Sequence, residues 1–246
     1  MSIINTLVLH RVVKDEVKFF EDITEKTLEL ILKKEPYSFT SIEDAFNKLC
    51  PIKKPICLTF DDGFSSDIDI TLPQLQSNHA VATFFIVRDY LNKSGYMTKD
   101  QVIQLSKNGM QIGSHSLSHP NFLDINSRIR RDELISSKDF LEDLLCKEVT
   151  TFSFPFGFSN DRCIDEVFSA GYKFCCTSRH GIANVNSRVI PRNSINGRTK
   201  ISQIYKNMRP SIATRLSWSA EDVVKSKFKN YAPKIYPKIR DFISKF

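Results

Sequence analysis

The sequence predicts an α/β protein built on a mostly parallel sheet, and three observations point to it. Apolar runs of strand length recur along the chain, stretches with helical spacing separate them, and no repeat or low-complexity linker interrupts the alternation. The 246 residues are 41% hydrophobic and 26% charged, the composition of an ordinary globular protein with a sizeable core. A (β/α) barrel reaches this length as one domain.

The elements follow in order. The first strand is Ile3–Leu9, ending at His10. Ile56–Phe60 is the next and runs directly into Asp61-Asp62-Gly63. Ala82–Val87, Met110–Gly113, Thr151–Phe154 and Tyr172–Thr177 complete the expected set. Thr98-Lys99-Asp100-Gln101 has the capping-box pattern, with apolar Val102, Ile103 and Leu105 behind it, so a helix should start there. Arg128–Leu145 carries Leu134, Ile135, Leu141, Leu144 and Leu145 at helical spacing beneath a charged face, which predicts a second, longer helix.

Residues 1–215 read as one catalytic domain and 216–246 as a basic, aromatic extension. From Glu221 to Phe246 there are seven Lys or Arg against three acids, interleaved with Phe228, Tyr231, Tyr236, Phe242 and Phe246. The first reading of this tail is an appendage that packs its apolar face on the domain. The second is a peripheral anchor on an anionic membrane face, which Pro233 and Pro237 weaken as a single helix. The opening residues, MSIINTLVLHRVVKDE, lack the basic start and cleavage site of a secretory signal. No stretch approaches the roughly 18 apolar residues of a membrane span. The expected location is therefore cytoplasmic, at the inner face of the membrane in the anchor reading. The six cysteines form no C-x-x-C pair and should be reduced thiols. A net charge of +7 suggests an acidic partner or surface; no nucleic-acid partner is expected.

Two segments carry candidate chemistry. "IGSHSLSHP" places His115 and His119 four apart between Gly113 and Pro120, so both rings can reach one ion. Alone, the pair reads equally as two surface or core histidines. "CLTFDDGFSSD" puts Asp61 and Asp62 at the carboxyl end of a strand, where α/β proteins gather ligands. Alone, that is also an ordinary Asp-Gly turn. Together they offer one Asp and two His as a facial metal site, with the other Asp free to act as a general base.

In combination these segments resemble the polysaccharide deacetylases, carbohydrate esterase family four. Thr59-Phe60-Asp61-Asp62-Gly63 and His115-x-x-x-His119 are similar to the family's first two motifs, "SFPFGF" (Ser153–Phe158) to its third, and "AGYKFCCTS" to the strand that follows. The resemblance covers Ile3 to Ile195. It implies a distorted (β/α)7 barrel and a divalent metal, zinc in first place, held by Asp62, His115 and His119. Asp61 would be the base, and the backbone amide of Phe156, in the turn opened by Pro155, would help hold the oxyanion. The implied reaction is removal of an N- or O-acetyl group from a sugar, an N-acetylated sugar or glycan in first place; the absent signal and the basic charge and tail point to a nucleotide-linked or lipid-linked sugar as its carrier.

The chain departs from the family pattern in three places. No Arg precedes the third motif, the late Asp-Trp segment is absent, and no C-terminal histidine segment supplies the general acid. "NTLVLHRVV" resembles that last segment moved to the N-terminus, as in a circularly permuted member. His10 is therefore the candidate acid, with a buried histidine satisfied by backbone as the competing reading. Arg192, after a short late strand, is the candidate substitute for the missing Arg. Two other functions share these residues: a degenerate barrel that only binds carbohydrate, and a metal hydrolase of phosphoesters.

Overall fold

The structure, a computed structural model, describes residues 3–47 and 54–218. β1 (Ile3–Leu9) leads through the short ladder of β2 (Val12–Val13) and β3 (Ile23–Thr24) to α1 (Glu25–Leu32), β4 (Ser38–Thr40) and α2 (Ile42–Phe46). Strand and helix then alternate: β5 (Pro55–Phe60) and α3 (Leu72–Ser77), β6 (Thr83–Ile86) and α4 (Lys99–Lys107), β7 (Gln111–Ser114) and α5 (Ser127–Leu145), β8 (Thr151–Ser153) and α6 (Asp161–Ser169). The last stretch holds β9 (Phe174–Thr177), β10 (Ile182–Asn184), β11 (Val189–Pro191), β12 (Asn193–Ser194) and α7 (Ile201–Met208).

The strands form a parallel barrel. β1, β5, β6, β7, β8 and β9 pair in that order, every pair parallel. β11 adds to β9 and β12 to the free edge of β1, both parallel. Because β11 and β12 are one continuous segment, residues 189–194 change partner at Arg192 and close the ring as its seventh stave. This is the (β/α)7 barrel the sequence implies. β10 lies antiparallel on the start of β1, and β4 parallel on the start of β5.

Parallel strands packed on both faces need apolar side chains throughout, which is why they read as unbroken apolar runs. Leu58, Phe84, Ile112, Phe152 and Cys175 face the outer helices in one core cluster. Their neighbours of opposite parity, Cys57, Phe85, Cys176 and Ile190, join Ile4 and residues Ile42, Ala45 and Phe46 of α2 in a second cluster that fills the barrel interior. The Ile42 N–H donates to Thr83 Oγ1 at 3.0 Å, so α2 is tied to the wall it plugs.

The expected strands are all present, with ends shifted by at most two residues. The helix expected at Thr98 has both halves of its capping box: Gln101 N–H donates to Thr98 Oγ1, and Thr98 N–H to Gln101 Oε1. The charged face expected on α5 differs. Arg130, Glu133 and Lys138 are buried, because α5 is covered on its flanks as well as beneath. Arg130 pairs with Glu166 of α6, and Lys138 with Glu142. The last described helical turns, 212–218, run across position 215. Trp218 is buried, its ring 5.8 Å from that of His180. The basic extension beyond it lies outside the described residues. Among the described residues no helix is long and apolar enough to cross a membrane.

Candidate functional site

All the candidate residues converge on the mouth of the barrel at the carboxyl ends of its strands. His10 follows β1, Asp61 and Asp62 follow β5, His115 and His119 follow β7, Pro155 and Phe156 follow β8, and Arg192 sits at the closure. Apart from Arg192 and Pro155, each lines one cleft of about 320 Å³, together with Tyr90, Phe154, Ser178 and His180.

Asp61 and Asp62 are adjacent yet serve different neighbours. Asp61 forms a two-pronged pair with Arg192, Nη1 to Oδ1 and Nη2 to Oδ2, both at 2.7 Å. Arg192 is 2% exposed, and it also donates to Thr59 Oγ1 at 3.1 Å and Ser153 Oγ at 2.7 Å. Burial would raise the Asp61 carboxyl, but the Arg192 charge, with His115, holds it below the ordinary carboxylate range. Arg192 thus sets a buried cation directly on Asp61.

Asp62 turns the other way, on a left-handed backbone (φ +76°) that Asp tolerates better than most residues. Its Oδ1 stands 3.6 Å from His115 Nε2 and 3.3 Å from His119 Nε2. It is buried, and no contact around it is aligned as a hydrogen bond. Ligand atoms of Asp62, His115 and His119 all lie within 4.8 Å of one another. Burial opposes ionisation of Asp62, but His119, His10 and His115 hold its pKa well down.

His115 accepts its orientation from the backbone: Nδ1 lies 2.7 Å from the Ser153 carbonyl, which fixes the tautomer with Nε2 facing Asp62. Burial first of all pushes its pKa down to about 4, against the pull of Asp61, so the ring is neutral and available as a ligand. The loop carrying both histidines is braced by Glu133 of α5, which accepts from the N–H groups of Leu117 and Ser118 at 2.8 and 2.9 Å and from Ser118 Oγ at 2.5 Å. His119 is itself left-handed (φ +63°), with its N–H on Ser116 Oγ. Sequence reasoning missed Glu133, which on a helix reads as one more surface charge.

Phe156 also has a left-handed backbone (φ +57°), and its ring stands edge-on to His119 at 4.5 Å. The turn requires the next residue to be glycine: a Cβ on Gly157 would sit 2.1 Å from Ser178 Oγ. His10 lies in the same cleft, with Nδ1 buried and without a hydrogen-bond partner. The competing reading, a histidine satisfied by backbone, does not describe that nitrogen. His79 lies in the loop between α3 and β6, away from the cleft.

Fold and site together define a class: a parallel (β/α) barrel carrying an Asp/His/His cluster and a separately paired aspartate at its mouth. Residues 48–175, half the chain, match the polysaccharide deacetylase family, and the chain belongs to it. A peptidoglycan-N-acetylglucosamine deacetylase of Bacillus cereus is 30% identical over 131 residues, 52% of this chain and 58% of that protein. The first three sequence relatives are spanned over 38% to 58% of their length. Among solved structures, the Streptococcus pyogenes deacetylase PplD in complex with acetate has a similar fold (TM-score 0.77, 23% identity, 85% of this chain and 99% of that one). A de-N-acetylase from Aggregatibacter actinomycetemcomitans is similar to the same extent (TM-score 0.74, 20% identity, 84% and 100%).

Proposed function

We propose that the protein is a metal-dependent hydrolase that removes the acetyl group from an N-acetylated sugar of a glycan. One observation carries this reading: the Asp61–Arg192 pair stands beside the Asp62/His115/His119 cluster, so one carboxylate is held as a base while its neighbour is left for a cation. The relatives named as peptidoglycan-N-acetylglucosamine deacetylases support it.

The donor set of one carboxylate and two imidazoles fits zinc, and the unpartnered, buried Oδ1 of Asp62 is the atom a cation would satisfy. A zinc ion held there would polarise the acetyl carbonyl and acidify a water to a pKa of about 7. Asp61 takes the proton of the attacking water, and Arg192 keeps it ionised and correctly turned for that step. The Phe156 amide donates to the oxygen on which negative charge develops, in the turn that Pro155 opens. His10 delivers a proton to the nitrogen as the carbon–nitrogen bond breaks, leaving acetate and a free amine.

A sugar carried on a lipid at the cytoplasmic face of a membrane, met by the basic extension, belongs to the same proposal and rests on the charge of that tail alone. The decisive assay is acetate release from N-acetylated oligosaccharides by the metal-loaded protein. His115→Ala should lose metal binding, measured by calorimetry, and acetate release together. His10→Ala should keep metal binding and lose roughly 10²–10⁴ in turnover. Full turnover by His10→Ala removes His10 from the reaction, and phosphate release from phosphoesters in place of acetate overturns the reaction itself.

A further inference from the structure

Charge along the last quarter of the described chain has one sign. Between Glu166 and Glu221 there are nine Lys or Arg and no Asp or Glu. Arg192 is buried on Asp61, and Lys173 pairs with Glu148. Lys200, Lys206, Arg209 and Arg215 are exposed, along α7 and the helical turns 212–218 that follow it. α1 packs beside α7 and does little to offset them, since its Glu29 is bonded to Lys26 and Lys33.

Apolar side chains share this surface. Ser211, after Pro210, caps the new turns by accepting from Thr214 N–H at 3.1 Å. Residues four apart lie on one helix face, so Ile212 and Leu216 stand together. They are 76% and 67% exposed, more than any other large apolar side chain among the described residues. The opposite face carries the half-buried Thr214 and the buried Trp218, which lies against His180. One face thus holds these turns to the barrel, and the other points outward. α7 is anchored as firmly: Asn5 Nδ2 donates to the Asn207 and Met208 carbonyls at 2.6 and 3.1 Å, and Tyr205 Oη to that of Leu30.

An apolar pair flanked by cations selects its occupant. A soluble polyanion would use the charge and leave Ile212 and Leu216 in water, and an uncharged apolar surface would desolvate the cations without pairing them. A bilayer with anionic headgroups satisfies both, the headgroups taking the cations and the acyl boundary taking the apolar pair. The sequence beyond Trp218 adds seven Lys or Arg against three acids, so the same attraction continues along the chain.

We propose that the outer face of residues 206–216, led by Ile212 and Leu216, docks on an anionic lipid bilayer. His180 lines the catalytic cleft and touches Trp218, so the docked face adjoins the cleft wall and brings the cleft beside the membrane surface. Docking needs no turnover, and it stands or falls apart from the deacetylase reading.

The test mixes the full-length protein with vesicles of phosphatidylcholine, alone or blended with phosphatidylglycerol. The protein should sediment with the blended vesicles and not with the neutral ones. Trp218 is the single tryptophan and lies about one helix diameter, ~10 Å, from the lipid-facing residues. Acyl chains brominated near the headgroup should therefore quench its fluorescence. Ile212→Ser with Leu216→Ser should weaken vesicle binding by about tenfold or more, the worth of one buried aliphatic side chain. Lys206→Glu with Arg209→Glu should abolish it. Both double variants should keep the wild-type circular dichroism and metal affinity, since these side chains are exposed and outside the cleft. Wild-type binding by the Ile212/Leu216 variant, unquenched Trp218 on bound vesicles, or no vesicle binding at all overturns the proposal. So does a wild-type dimer that the Ile212/Leu216 variant splits, which would make the face a contact between copies of the chain.

Discussion

Three aspartates within seven residues of chain show how far neighbours decide a carboxyl's chemistry. Asp61 would be raised by burial and is lowered by Arg192. Replacing Arg192 with Met removes the main charge that opposes burial, so the acid limb of the pH–rate profile should move up by about 1–3 pH units. Loss of the buried partner should also destabilise the fold by roughly 3–5 kcal/mol. The lowered pKa of Asp61 stabilises the fold above the unfolded value of about 3.9, and that contribution is lost as pH falls through the folded value. Asp67 behaves oppositely. It is fully buried, its Oδ2 has no partner, and burial, followed by the fields of Asp62 and Asp61, raises its pKa well above the ordinary value despite a hydrogen bond from Thr71. The folded state therefore binds this proton more tightly than the unfolded chain, and stability falls as pH rises toward the folded pKa. Asp67→Asn should raise the melting temperature at pH 7, by roughly 2–4 °C per kcal/mol gained, with the gain vanishing toward pH 4. Thermal melts of both proteins across that range check it.

At the scale of elements, the histidine loop depends on a helix that never touches the cluster. Glu133 of α5 takes three donors from Leu117 and Ser118, which fixes a loop containing the left-handed Ser116 and His119. Glu133→Ala should lower metal affinity by roughly 10- to 100-fold, with the barrel still folded by circular dichroism. Unchanged affinity would show that the loop holds its shape unaided. Little of this was legible in the sequence. Asp62, His115 and His119 stood out because ligand types cluster in short motifs. Glu133 did not, because a charged residue on a helix ordinarily faces water. Arg192 is one of 35 Lys and Arg, and the absence of a cation beside the third motif, with its place after a short late strand, singled it out. β1 and β5–β9 announced themselves as apolar runs, whereas β4, β10 and β12, two or three residues each, carry too little pattern to read. Phe64 stacks on Tyr96 across intervening elements, a pairing local sequence does not encode.

The whole molecule is organised around one closure. The segment 189–194 leaves β9, passes Arg192 inward and takes up β1, while Asn193 ties the join by donating to Asn5 Oδ1 and the Gly181 carbonyl. The earliest strand and the latest are thus neighbours at the cleft that His10 lines.

That closure also sets an order of events in the life of the chain. β1 emerges before the other strands of the barrel, yet its edge at Leu7 and Val8 waits for residues 193 and 194, near the end of the barrel. Until then its unpaired groups are open to a wrong partner, the hazard of folds rich in distant contacts. Asp61 is unpaired for the same interval, since no guanidinium stands beside it before Arg192 is made. A nascent chain stalled short of that residue would carry the Asp62/His115/His119 cluster without the cation that keeps Asp61 charged, so the paired aspartate would arrive only with the final stave.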